Sequence, residues 1–303
     1  MESNKILNTS SEFSIANQLQ SGLKLIECPR DAMQGWPHFI DTEKKIEYLN
    51  ELLQCGFDTL DFGSFVSPKA IPQMADTETV IRSLELGETT TKLLAIIANT
   101  RGAQDAVSYD QISYLGFPFS ISETFQQRNT NSSVDESLVR VAEIQELCVK
   151  NNKELVVYIS MGFGNPYGDL YNEEIVINRT KEIEKLGIKI ISIADTVGLA
   201  TANEVSVLMK KIIPEFSKVE IGVHLHATVN EREAKLEAAL TAGCRRFDAA
   251  LKGIGGCPMA GNDLVGNMDT EVMINYFESK GLKLNINKEK LKECSNLVSS
   301  IFI

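Results

Sequence analysis

A chain of 303 residues, 43% hydrophobic and 23% charged, can bury a sizeable core and has the length of two ordinary domains or of one α/β barrel. Its 30 lysines and arginines against 41 aspartates and glutamates leave a net charge of −11, which argues against nucleic acid as a partner and requires that any anionic ligand be met by a local site. Cys28, Cys55, Cys148, Cys244, Cys257 and Cys294 show no Cys-x-x-Cys spacing, which fits reduced thiols and a cytoplasmic location, and no apolar run approaches the ~18–20 residues of a membrane span.

Residues 1–22 begin as a polar stretch, and no arginine precedes Arg30, which argues against a mitochondrial transit peptide; they are read as an N-terminal arm. From residue 23 onward, short β-like runs alternate with helical patterns. The expected strands are Lys24–Cys28, Thr59–Phe62, Lys92–Ile97, Ile112–Ile121, Glu154–Ile159, Ile188–Ala194, Val219–His226 and Arg245–Leu251. Helical spacing stands out in Thr42–Gln54, Asp135–Asn151, Glu173–Leu186, Asn203–Ile213 and Asn230–Ala242, and again from Lys288 to Ile303. Gly56, Gly187 and Gly243 suit the left-handed positions that turn a helix back toward the next strand. Eight βα units without a linker or composition break predict a closed (β/α)8 TIM barrel, one domain over 23–303 with a C-terminal helix.

Active sites of such barrels form at the C-terminal ends of the strands. Those positions carry Arg30 and Asp31, Asp61 and Ser64, Asn99, Glu123, Ser160, Asp195 with Thr196, His224 with His226, and the loop Gly253-Ile254-Gly255-Gly256-Cys257-Pro258. Two of the three histidines in the chain lie in His224-Leu225-His226. On a strand, alternation puts both on one face about 6.5–7 Å apart along the backbone, where two imidazoles can converge on one cation. The competing reading is a hydrogen-bonded polar pair at a strand mouth. Asp31 adds a carboxylate and the loop after strand 8 can add an amide oxygen. That mixed nitrogen and oxygen set suits Mg²⁺, Mn²⁺ or a similar divalent ion better than a structural zinc.

Arg30 next to Asp31 would set a permanent cation beside a developing oxyanion, or would be a surface ion pair. Asp61 and Asp195 are site carboxylates or caps of the following turns. Cys257 is a reactive thiol or a small buried hydrophobe, and the glycines around it form a loop able to bend over a site or a set of tight turns. The loop lacks the Gly-x-x-x-x-Gly-Lys spacing of a phosphate cradle.

Five segments carry a family resemblance. They are Pro29-Arg30-Asp31-Ala32-Met33-Gln34, Ser64-Phe65-Val66-Ser67-Pro68-Lys69 continuing to Pro72-Gln73-Met74, Ala194-Asp195-Thr196-Val197-Gly198, Val223-His224-Leu225-His226, and Gly253-Ile254-Gly255-Gly256-Cys257-Pro258 followed by Gly266-Asn267. From about Leu23 to the C-terminus the chain resembles the hydroxymethylglutaryl-CoA lyases, within the metal-dependent carbon–carbon lyase and Claisen-condensing barrels. The resemblance implies metal ligation by Asp31, His224, His226 and Asn267, a catalytic arginine at Arg30 and a loop cysteine at Cys257. It further implies cleavage of 3-hydroxy-3-methylglutaryl-CoA to acetyl-CoA and acetoacetate with Mg²⁺ or Mn²⁺, in leucine degradation. His224 would remove the hydroxyl proton in a shuttle role, and Arg30 would stabilise the thioester enolate. The expected partners are an acyl-CoA substrate and a second copy in a homodimer.

Three positions depart from the family pattern. Asp61 stands where Glu is usual, Ala227 follows the second histidine where Asp is common, and the Cys257 to Asn267 spacing is one residue longer. Ala227 would leave the histidines without a supporting carboxylate. Rival readings are a related aldolase or Claisen-type acyltransferase, an amidohydrolase, and a catalytically silent barrel with a binding role. The synthases usually extend well past their barrel, whereas this chain ends one helix after it. An amidohydrolase needs further histidines, and only His38 remains.

Overall fold

The computed structural model describes residues 22–256 and 265–302. The expected eight parallel strands are present and close in chain order: β1 (Lys24–Glu27), β2 (Thr59–Ser64), β3 (Lys92–Ile96), β4 (Ile112–Ser120), β5 (Glu154–Ser160), β6 (Ile190–Ala194), β7 (Glu220–His224) and β8 (Arg246–Ala249). Closure is made by β8 on β1, in a register from Lys24 opposite Arg246 to Glu27 opposite Ala249. Strands covered outside by helices and inside by their neighbours read as continuous apolar runs, which is why β6, Ile-Ile-Ser-Ile-Ala, is buried at every residue.

The helices that cover the barrel are α1 (Pro29–Gln34), α2 (Thr42–Leu52), α3 (Thr77–Ser83), α4 (Thr100–Val107), α5 (Glu123–Thr130), α6 (Val134–Lys150), α7 (Glu173–Lys185), α8 (Ala202–Glu215), α9 (Arg232–Thr241), α10 (Thr270–Ser279) and α11 (Lys288–Ile301). Reciprocal capping boxes start α6, with Ser133 and Glu136, and α8, with Thr201 and Glu204. Gly56, Gly187 and Gly243 have φ of 87°, 85° and 102°, as the turns back into the sheet require. The C-terminal helix α11 buries Leu291, Cys294, Val298 and Ile301. No helix among the described residues is long and apolar enough to cross a membrane.

Several boundaries differ from the sequence expectation. Strand 7 ends at His224, two residues early, because residue 226 leaves the barrel ladder to bridge Asn267 in antiparallel fashion. Strand 8 ends at Ala249, where Ala250 donates to the Met268 carbonyl and Leu251–Gly253 forms a 3-10 turn. Asp61 lies inside β2 rather than after it. The short helices α1, α3, α4 and α5, six to eight residues each, span about two turns and offer too little periodicity to read.

The barrel interior is divided. Leu94, Ile96, Tyr114, Val156, Tyr158 and Ile190 from β3 to β6 form a cluster of their own, separate from the main core between sheet and helices. The β7–β8–β1 side is ionic: Arg246, fully buried, donates to Glu220 at 3.2 Å, and Lys24 reaches the same carboxylate at 2.5 Å. Gly222 makes room for Arg246, since a Cβ there would stand 2.9 Å from its Cγ and Cδ. Outside β1, buried Glu27 accepts from the Leu251 amide at 2.8 Å and the Thr270 hydroxyl at 2.5 Å, which ties the segment after β8 and the start of α10 to the barrel. Burial pushes the Glu27 carboxyl up to about 8, with its two hydrogen bonds acting in the opposite direction.

Candidate active site at the strand ends

Pro29 follows β1 almost directly, and its fixed φ suits the first helical position, so the chain turns into α1 without a loop. That places Arg30 and Asp31, 7% and 8% exposed, in the barrel mouth rather than on the surface. The Arg30 guanidinium is clamped. Its Nε lies 3.1 and 3.0 Å from the two Asp61 oxygens, Nη2 donates to Asp61 Oδ2 at 2.5 Å, and Nη1 donates to Asp31 at 3.0 Å and to Gln34 at 2.7 Å. Of five guanidinium N–H groups, four are thereby committed, and one on Nη2 remains. Burial, backed by the Asp31 and Asp248 charges, pushes Asp61 up to about 6 against the pull of Arg30. Asp31 moves the other way: burial opposes its charge, but Arg30, His224 and His226 outweigh it and hold the carboxyl at about 2.

Across the mouth, His224 Nδ1 lies 3.2 Å from Asp248 Oδ2, and His224 Nε2 lies 3.3 Å from His226 Nε2. The two imidazoles do face the same side. Burial works against a charge on His224, yet the hydrogen bond and charge of Asp248 raise its pKa above the ordinary value. His226 is brought down to about 4, first by burial and then by His224, so it is neutral at pH 7 and keeps a lone pair. Asn267 closes the group. Its Nδ2 donates to Asp31 at 2.8 Å and to the Ile254 carbonyl at 2.9 Å, while its Oδ1 is buried without a hydrogen-bond partner among the described residues.

Asp31, His224 and His226 each offer one ligand atom, and these lie within 4.8 Å of one another. A carboxylate held ionised, a neutral imidazole and an orphaned amide oxygen make a donor set that a divalent cation fits. These groups open on a cavity of about 330 Å³. Arg30, Asp31, Asp61, His224 and His226 form its polar wall, Ile96, Pro118 and Tyr158 part of its apolar wall, with Arg128 and Asn129 of α5 also on its lining.

The remaining residues expected at the strand ends divide. Ser160 and Thr196 line the cavity, and Thr196 also accepts from the Met161 amide at 2.9 Å. Asn99 caps α4 through Gly102, Glu123 accepts from the Val134 amide at 3.0 Å, and Ser64 accepts from the Val66 amide at 3.2 Å. Asp195 stands outside the cavity lining, buried against Lys235 at 3.0 Å, and Lys235 donates in turn to the His226 carbonyl at 2.7 Å. Asp195 is joined through Lys235 to the backbone of the second histidine and not to the cavity. Cys257 lies outside the described residues.

One expectation about support for the histidines is overturned. Ala227 supplies no carboxylate, but Asp248 on β8 supplies one to His224 across the strand pair, His224 opposite Asp248. Asp248 was legible in principle. Alternation along Arg246-Phe247-Asp248-Ala249 aims two charged residues at the barrel interior, where a charge needs a partner. Lys235 and Gln34 gave no comparable signal.

Fold and site together define a (β/α)8 barrel with a charged, cation-ready centre built from the C-terminal ends of β1, β2 and β7 and from the segment that follows β8. Within that class the chain belongs to the HMGL-like family, whose model matches residues 23–298. It is similar to the hydroxymethylglutaryl-CoA lyase of Bacillus subtilis (strain 168), 32% identical over 263 residues that span 87% of each chain. The crystal structure of the Bacillus subtilis HMG-CoA lyase superposes with a TM-score of 0.87 at 30% identity, covering 93% of this chain and 94% of that one. A structure of an HMG-CoA lyase from Acinetobacter baumannii, in complex with coenzyme A and 3-methylmalate, gives 0.85 at 31% identity over 92% and 91%.

Proposed function

We propose that this chain is a hydroxymethylglutaryl-CoA lyase, cleaving 3-hydroxy-3-methylglutaryl-CoA to acetyl-CoA and acetoacetate. The observation that carries the reading is the convergence of Asp31, His224 and His226 beside a clamped Arg30 in a mostly apolar cavity. Asp31, His224, His226 and the free Oδ1 of Asn267 would hold Mg²⁺ or Mn²⁺, which supplies acidity to a bound hydroxyl and charge for a bound carboxylate.

The chain's own groups would then do the following. Asp61, Asp31 and Gln34 fix the Arg30 plane at the cavity wall, and the remaining Nη2 hydrogen would meet the thioester oxygen as cleavage of the carbon–carbon bond places negative charge on it. With Nδ1 held by Asp248, His224 would use Nε2 for either task, holding the ion or taking the hydroxyl proton, and not for both at once. Asp195 and Lys235 would orient the His226 backbone from behind. Protonation of the enolate carbon would fall to Cys257 or to water. Leucine degradation and a homodimer belong to the same proposal and rest on the resemblance, and a cytoplasmic location rests on the scattered cysteines.

The test is acetoacetate release from 3-hydroxy-3-methylglutaryl-CoA with added Mg²⁺ or Mn²⁺, comparing the parent with Arg30→Ala and His224→Ala. Metal-dependent release by the parent, lost on chelation and depressed in both variants, is expected. A parent without release refutes the activity, and equal rates in all three refute the residue roles.

A further inference from the structure

Beneath the site just described lies a second group of ligand atoms, which shares His224 with it and adds the Cys28 sulfur. Cys28, His224 and Asp248 also offer ligand atoms within 4.8 Å of one another. We propose that they form a separate site for a thiophilic divalent ion, Zn²⁺ or Cd²⁺, held by Cys28 Sγ, His224 Nδ1 and Asp248, and that its occupation switches off the site above.

The spread of the three atoms is close to what such an ion draws together, since bonds of about 2.3 Å to sulfur and about 2.0–2.1 Å to nitrogen and oxygen span at most roughly 4.4 Å. Asp248, 3% exposed, uses Oδ2 on His224 and leaves Oδ1 buried without a partner among the described residues, an acceptor that a cation would satisfy. Cys28, 1% exposed, has only a contact at 3.9 Å from its sulfur to the Ile26 carbonyl among those residues. Burial first, and then the charges of Asp248, Asp61 and Asp31, push the Cys28 thiol up against the pull of Arg30, so the thiol keeps its proton until a cation displaces it. Thiolate beside imidazole and carboxylate selects a softer ion than Mg²⁺.

Binding would release one proton to solvent, from the Cys28 thiol, and would move the single hydrogen of the neutral His224 ring from Nδ1 to Nε2. With Nδ1 occupied, the neutral imidazole carries its hydrogen on Nε2, and that atom no longer offers a lone pair to a cation or a base to substrate. The two sites share one residue and exclude each other.

The binding arm is independent of the lyase reading. Chelator-stripped protein is titrated with Cd²⁺ while the ultraviolet cadmium–thiolate charge-transfer band is followed in the parent, Cys28→Ser, Cys28→Ala and Cys257→Ser. The expected result is a saturable band at one equivalent in the parent and in Cys257→Ser, absent from both Cys28 variants; two variants guard against one failing to fold, checked by circular dichroism. A band retained without Cys28, or lost with Cys257, overturns the proposal. The inhibition arm rests on the lyase reading: Cd²⁺ should suppress acetoacetate release, and Cys28→Ser should raise the inhibitory concentration at least tenfold. Cd²⁺ inhibition equal in parent and Cys28→Ser overturns the exclusion between the sites, whereas a parent that releases no acetoacetate fails the lyase reading and leaves the band to decide.

Discussion

Replacing Arg30 by lysine keeps the charge and removes the fork, and the structure says what that costs. Four of the five guanidinium N–H groups are spent on Asp61, Asp31 and Gln34, and the proposed mechanism gives the fifth to substrate. A lysine brings three hydrogens to one point and cannot grip Asp61 with two nitrogens while also reaching Asp31 and the cavity. The variant must give up the substrate-facing donor, because the buried carboxylates claim its hydrogens first. Losing one preorganised oxyanion donor costs about 2.7–4 kcal/mol, or a fall of ~10²–10³ in kcat. The bond from a charged donor that Asp61 loses removes roughly 1.5–3 kcal/mol of stability. Acetoacetate release at saturating substrate measures the first, with KM expected to change little, and chemical denaturation measures the second. A lysine variant within about threefold of the parent in kcat would show that charge alone suffices and that the fork argument is wrong.

Asp248→Asn preserves shape and removes the carboxylate behind His224, so affinity for Mn²⁺ should fall by ~10–100-fold in calorimetric titration; an unchanged affinity sinks the supporting role. Glu27 holds its proton in the fold up to about 8, against 4.5 when unfolded, so the stability it contributes is complete below 4.5 and is lost as pH rises to 8. At ~1.36 kcal/mol per pH unit the ceiling on that loss is about 5 kcal/mol, and Glu27→Gln should flatten the decline in denaturation measured from pH 5 to 9; an identical slope in the variant refutes it. Asp195→Asn strands the buried Lys235 charge and should destabilise the fold by ~3–5 kcal/mol, with a smaller loss of kcat than Arg30→Lys; the reverse ranking would put Asp195 in the chemistry.

Much of the architecture was written in local pattern. Strand and helix periods depend on which residues must be buried, and eight buried runs with intervening helical stretches admit few topologies. Gly187 and Gly243 act within a few residues of themselves, so they read correctly without any tertiary context. Asn99 and Glu123 were misplaced for the same local reason: a polar residue after a strand can serve the next helix as readily as the site, and both do.

The sequence by itself determined the barrel, the strand ends that carry chemistry, and the convergence of His224 and His226 with Asp31, because each follows from alternation along a strand and from closure of β8 on β1. Only the tertiary structure decided what each group can do there. Asp248, 24 residues from His224 along the chain, fixes that imidazole, Asp61 spends Arg30's fork, and Asp195 turns from the cavity to Lys235. Those assignments depend on distances between side chains of different strands, and a buried charge takes whichever partner the packing brings within reach.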